Sequence, residues 1–191
     1  MEGRTGRESD DDLLSAIAGG DRDAFGCLME RHAAPMLALA ERVSGSSADA
    51  DEIMQDVFLK VWTLAPEWRS DGPAKFSTWL YRVVLNAAID RSRRRRELPL
   101  DVAADAEDSA PSSLVRSIDR QRRDLVLAAM RALPDRQRAA LSLYYFSELK
   151  AALAAQVLGV SLSAMEALLV RAKRALKTEL KRRGIADWGD L

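Results

Sequence analysis

The chain has 191 residues, and its 29 Lys plus Arg balance 29 Asp plus Glu. Apolar types make up 48%, enough for a buried core and too many for wholesale disorder. A single cysteine and a single histidine exclude intramolecular disulfides and a zinc site built from Cys and His. The 31 Ala and 26 Leu, set against 10 Gly and 6 Pro, favour helix. No uncharged run exceeds the 15 residues between Lys150 and Glu166, short of the ~20 that a membrane span requires. The Asp-rich N-terminus lacks the apolar segment of a secretory signal.

Apolar periodicity is helical almost throughout, and no stretch alternates as a strand does. Residues 11–18 predict a short helix ended by Gly19 and Gly20. Asp21 caps a second, running to about Val43 and bent at Pro35. After Ser-Gly-Ser-Ser at 44–47, a third runs from Ala48 to about Leu64, stopped by Pro66. Residues 67–75 read as a loop. A fourth helix runs from Ser77 to about Arg96, ending in five arginines within positions 91–96.

Residues 97–113 hold five acids, no base and two prolines, the composition of a flexible acidic linker. Four more helices are predicted beyond it, over 114–133, 136–146, 149–158 and 163–183. The fold expected is all-α, with helical domains over 10–96 and 114–183 joined by the linker at 97–113. The alternative is a single eight-helix bundle.

Leu149, Leu153, Ala154, Val157 and Leu158 form an apolar stripe, followed by Gly159 where a helix-turn-helix needs a residue tolerant of positive φ. Val160 plugs the angle, and Leu162, Met165, Leu168, Leu169, Ala172 and Leu176 supply the second helix's inner face. Its outer face holds Ser163, Glu166, Ala167, Val170, Arg171, Arg174 and Lys177. In a helix-turn-helix this face enters the DNA major groove. Arg171 suits a guanine edge, whereas Lys173, Arg174 and Lys177 suit phosphates. Glu166 either completes a capping box with Ser163 or accepts from a cytosine amino group, and the cap is preferred. An ordinary hairpin with a solvated basic face is the competing reading.

In the fourth helix, Trp79, Arg82, Asn86, Arg93, Arg94 and Arg95 combine an aromatic ring, an amide and a basic run, a set that suits an unpaired strand. Phe76, Trp79 and Leu80 equally fit a core. Asp49, Asp51, Glu52, Gln55 and Asp56 make an acidic face on the third helix. Acids in a first turn also complement the helix dipole, which accounts for Asp49 to Glu52 and not for Asp56. Cys27 and His32 lie five apart, beyond the i, i+4 spacing that best shares a helix face, and read as buried or incidental.

Four segments together resemble the bacterial RNA polymerase sigma factors of the extracytoplasmic-function type: ADADEIMQDVFLKVW, FSTWLYRVVLNAAIDRSRRRR, ALPDRQRAALSLYYFSEL and AAQVLGVSLSAMEALLVRAKRAL, in family order over roughly residues 10–183. The resemblance implies a first domain that reads and melts the −10 promoter element and a second that reads the −35 element. It implies that the Asp49–Asp56 face docks on the polymerase clamp helices, that Asn86 contacts the unpaired −10 strand, and that an anti-sigma factor holds the protein inactive. The partners expected are core RNA polymerase, promoter DNA and an anti-sigma factor, in the cytoplasm. No catalytic residue, metal, cofactor, small-molecule substrate or membrane insertion is expected. The chain departs from the family at Ala164-Met-Glu-Ala-Leu168, where Glu166 and Leu168 replace basic residues and Ala167 a hydroxyl. Alanines at 151–155 also replace the usual acid of the preceding helix. The rival functions are a free-standing helix-turn-helix regulator and a sigma mimic that sequesters an anti-sigma factor.

Overall fold

Helix starts follow the short polar side chains. The computed structural model describes residues 8–72, 74–97 and 118–185, with the backbone alone for 118–123. Helix α1 (Asp10–Ala18) is capped by Ser9, whose hydroxyl accepts from Asp12 N while the Asp12 carboxylate accepts from Ser9 N. Asp21 caps α2 (Arg22–Ser44), and Ser46 caps α3 (Ser47–Leu64). Each cap satisfies N–H groups that a helix start leaves without intrahelical partners. Pro35 sits inside α2, and a 3-10 turn at Ala65–Glu67 carries Pro66. Helix α4 (Phe76–Glu97) completes the N-terminal domain.

In the C-terminal domain, α5 (Ile118–Arg131) and α6 (Asp135–Leu141) flank Pro134. The predicted start at Leu114, like most of the linker, lies outside the described residues. The single helix expected over 136–146 instead changes form after α6, passing into a π-helical turn at Ser142–Phe146. Ser147 N bonds Ser142 O at 2.9 Å, the i→i+5 contact of that turn. Arg138 to Leu143 are six consecutive buried residues, which one apolar stripe cannot provide. They are buried because α6 lies between the C-terminal helix α8 (Leu162–Arg182) on one side and α2 and α4 on the other.

Helices α7 (Ala151–Leu158) and α8 form the helix-turn-helix. Gly159 between them has φ 67°, the left-handed conformation glycine adopts without a Cβ clash. No strand occurs among the described residues. Two helical domains are thus present, and they pack together, with α4 against α6 and α7 and α2 against α5, α6 and the π turn. Among the described residues, no single helix is long and apolar enough to cross a membrane.

Candidate nucleic-acid interface

Helix α4 shows how one element separates three tasks. At 3.6 residues per turn its side chains fall into sectors of roughly 100° each. Phe76, Leu80, Val84 and Ala88 form the core sector, all at or below 2% exposure. Trp79, Arg82, Asn86 and Arg93 fall together on the opposite sector, and of these Arg82, Asn86 and Arg93 are exposed. The strand-facing set read from the sequence therefore shares one face, apart from Arg94 and Arg95. Arg94 is exposed at the edge of that face. Arg95 points the other way and pairs with Asp49 on α3, beside an Arg91–Glu52 pair.

The acidic face of α3 divides accordingly. Asp49 and Glu52 are neutralised by the arginines of α4, and Asp56 is exposed. Asp51 and Gln55 instead border an apolar groove of about 650 Å³, lined by Phe25, Met29, Ala33 and Leu37 of α2 and by Met54, Phe58 and Leu59 of α3. This groove leaves Leu59 66% exposed at its rim. The sequence did carry a sign of it. Positions 25, 29, 33 and 37 recur at i, i+4 beside the core positions Ala24, Leu28 and Met36, making α2 apolar over more than one stripe.

A second cleft escaped the sequence reading, which left 67–75 as a loop. Trp68, Arg69, Asp71, Gly72, Ala74 and Trp79 line about 530 Å³ there. Trp68 packs edge-on to Phe76 and Trp79 at 5.5 and 6.0 Å, while Phe76 and Trp79 stack at 5.7 Å. Phe76 is core, as the competing reading required, and Trp79 is half-buried between core and cleft. Trp68 Nε1 donates to Asp11 at 2.9 Å, so α1 holds one wall. Helix α1 is itself anchored by Asp10, which accepts from Arg31 Nη1 at 2.6 Å and lies 3.0 Å from His32 Nε2. Burial alone would raise the Asp10 pKa, but hydrogen bonds and charge from His32 and Arg31 outweigh it and hold the carboxyl below its ordinary value. His32 thus has a structural role, clamped between Asp10 and the Phe76 ring.

On α8, Ser163, Glu166, Ala167, Val170, Arg171, Arg174 and Lys177 are all exposed, on one broad face. Lys173 lies at its edge with its ammonium 5.0 Å from the Tyr145 ring centroid. Two details correct the sequence reading. The cap is Ser161, whose hydroxyl accepts from Ala164 N at 3.2 Å, so Ser163 and Glu166 form no capping box and Glu166 faces outward. The helix begins one residue earlier than expected, and Leu162, at its first position and expected on the inner face, is 47% exposed.

A helix-turn-helix with a basic outer face, beside a helix bearing aromatic and basic residues in one sector, defines a two-domain DNA-binding protein. Residues 28–97 match the model of Sigma-70 region 2, and residues 123–176 that of Sigma-70, region 4. The ECF RNA polymerase sigma factor SigM of Mycobacterium tuberculosis (strain ATCC 25618 / H37Rv) is 36% identical, over 88% of this chain and 83% of that protein. SigW of Bacillus subtilis (strain 168) is 25% identical over 88% and 95%. Among solved structures, CnrH in complex with the cytosolic domain of CnrY superposes with a TM-score of 0.67 at 28% identity, covering 92% and 99% of the two chains. The sigma factor RpoE bound to the anti-sigma factor NepR, from Bartonella quintana, shares the fold, with a TM-score of 0.58 at 21% identity over 76% and 89%. The chain belongs to the sigma-70 family, among the extracytoplasmic-function sigma factors.

Proposed function

We propose that this protein is a non-enzymatic cytoplasmic subunit that directs core RNA polymerase to a set of promoters and helps open them, under the control of an anti-sigma factor. The observation that carries this is the division of exposed chemistry over the two family domains: Arg82, Asn86 and Arg93 on one sector of α4, and Arg171, Arg174 and Lys177 on the outer face of α8. Each domain then supplies one promoter-reading surface over the family-matched segments.

Asp51 and Gln55, with the apolar groove beside them, form the polymerase-docking surface, and Asp56 adds charge. Asp49 and Glu52 contribute by holding α3 against α4. The exposed face of α4 takes the −10 element. The Trp68–Trp79 cleft receives an unpaired base, since a base gains about 1–3 kcal/mol by stacking on an aromatic side chain. Helix α8 takes the −35 element, with Arg171 and Glu166 toward base edges and Arg174, Lys177 and Lys173 toward phosphates. The anti-sigma assignment draws on the same fold held by an anti-sigma factor in the Bartonella quintana complex.

The test is run-off transcription with core polymerase on genomic promoter fragments, with and without the protein. Discrete transcripts that require the protein are expected. No protein-dependent transcript from any fragment would overturn the reading.

A further inference from the structure

Asp10, Asp11 and Asp12 open α1, and acids in a first turn already suit the helix dipole. The structure gives each of them a separate partner as well. Asp12 closes the capping box on Ser9, and Asp10 holds Arg31 and His32 of α2. Asp11 turns to the cleft, where its Oδ1 accepts from Trp68 Nε1 at 2.9 Å, across 57 positions of sequence. Helix α1 lies ahead of residue 28, where the match to Sigma-70 region 2 begins. The contact therefore ties a segment outside the family match to the wall of a cleft within it.

Trp68 stands where such a tether matters. It follows the 3-10 turn with extended backbone (φ −66°, ψ 131°) and starts the irregular run to Phe76, so no helix fixes its side chain. Its ring crosses the Phe76–Trp79 stack at interplanar angles of 88° and 63°, and edge contacts alone do not lock a half-buried ring. An indole has one hydrogen-bond donor and no acceptor, so a single carboxylate sets where its Nε1 edge points. The neighbouring cation, Arg69, pairs with Asp71 and leaves Asp11 to the indole. The support behind Asp11 is firm, because Leu13, Leu14 and Ile17 hold α1 in the core at 0, 1 and 3% exposure.

A binding group fixed before its ligand arrives avoids the ordering cost that a loose one incurs at capture. We propose that Asp11 is a positioning residue for promoter opening, which by holding the Trp68 indole keeps the Trp68–Trp79 cleft shaped for one unpaired base, a role that rests on the function proposed for that cleft. Asp11 acts through Trp68 and not on the base. Its removal leaves every cleft residue in place with one wall loose, so strand capture weakens while assembly with polymerase is untouched.

The test reconstitutes core polymerase with the full chain on a promoter fragment that the parent protein transcribes, and follows run-off transcript and permanganate reactivity of −10 thymines. Asp11→Ala should lower the yield of open complex about tenfold, the loss of one charge-assisted hydrogen bond, with polymerase assembly and helical circular dichroism unchanged. Asp11→Asn keeps a carbonyl acceptor and should recover most of that loss, which separates the hydrogen bond from the charge. In a Trp68→Phe background, which lacks the donor, Asp11→Ala should add nothing. Abasic substitution at one position of the −10 strand should cost the parent about tenfold and the Asp11→Ala protein no more than about twofold, since a loose wall gains little from the stacked base. Asp11→Asn as weak as Asp11→Ala, full additivity with Trp68→Phe, or equal abasic penalties in both proteins would overturn the assignment. The Trp68 indole N–H resonance of the free protein, identified by its absence in Trp68→Phe, is the second arm and should shift in Asp11→Ala. A resonance that does not move would remove the tether itself. One that shifts, with no protein-dependent transcript from the parent on any fragment, would retain the tethered wall and defeat the proposed function instead.

Discussion

Asp49 of α3 pairs with Arg95 of α4, joining two residues that the sequence assigns to different partners, polymerase and DNA. With the neighbouring Arg91–Glu52 pair it fastens the end of α4 to α3, so that Arg82, Asn86 and Arg93 are presented on the far sector. The pair is partly exposed, and such pairs contribute about 0.2–1 kcal/mol. A double-mutant cycle with Asp49→Ala and Arg95→Ala, followed by urea unfolding, is expected to give a coupling of that size. Coupling indistinguishable from zero would show that the pair does not position α4.

Base reading and phosphate binding on α8 should separate by mutation. Arg171→Ala is expected to lose about 1–3 kcal/mol of discrimination at one base pair of the −35 element and to relax preference there. Lys177→Ala should instead weaken all promoters alike and reduce the salt dependence. Transcription from a library randomised across the −35 region distinguishes the two patterns. Equal effects of both substitutions at every position would refute the division.

Two glycines isolate backbone conformation from packing. Gly159 has φ +67°, and a Cβ added there would meet nothing within 4 Å, whereas Gly45 has φ +80° and a Cβ there would lie 3.1 Å from Arg131 Cγ. Gly159→Ala should cost about 1 kcal/mol, the left-handed penalty alone. Gly45→Ala should cost more, since Arg131 of the other domain must also shift. Denaturant midpoints check the order, and a smaller loss for Gly45→Ala would contradict the domain packing at that point.

Acid should loosen α1. Asp10 has a folded pKa held below its ordinary 3.8, so the stability it contributes is full above that value and disappears as the pH falls through the lower folded one. The parent protein's urea midpoint, followed by tryptophan fluorescence, should therefore fall more between pH 6 and pH 3 than that of Asp10→Asn. Parallel curves for the two would show that the Asp10–His32–Arg31 cluster does not anchor the helix.

Much of this architecture is local chemistry and can be read directly from the chain. Ser9, Asp21 and Ser46 cap their helices as short polar residues do, and Gly159 stands where the helix-turn-helix demands positive φ. The outer face of α8 follows from helical periodicity, because residues three and four apart share a side whatever surrounds them. The cap of α8 was not legible in this way: the Ser-x-x-Glu spacing pointed to Ser163, but the backbone path places the Ser161 hydroxyl at the helix start instead.

The division of the arginines was decided by the tertiary structure. In sequence, Arg91 to Arg96 is one uniform basic run, but its members project at about 100° intervals around α4. Arg91 and Arg95 meet the carboxylates of α3, Arg96 meets Asp135 of the other domain, and Arg93 and Arg94 remain exposed. The balanced charge of 29 against 29 is thus in part a set of pairs made inside the fold. Composition determined a neutral, helical, two-domain chain with basic helix ends. Which charges are left to meet DNA was set by the packing of α3 and the C-terminal domain around α4, because an ion pair depends on distance in space and those partners lie about forty residues away.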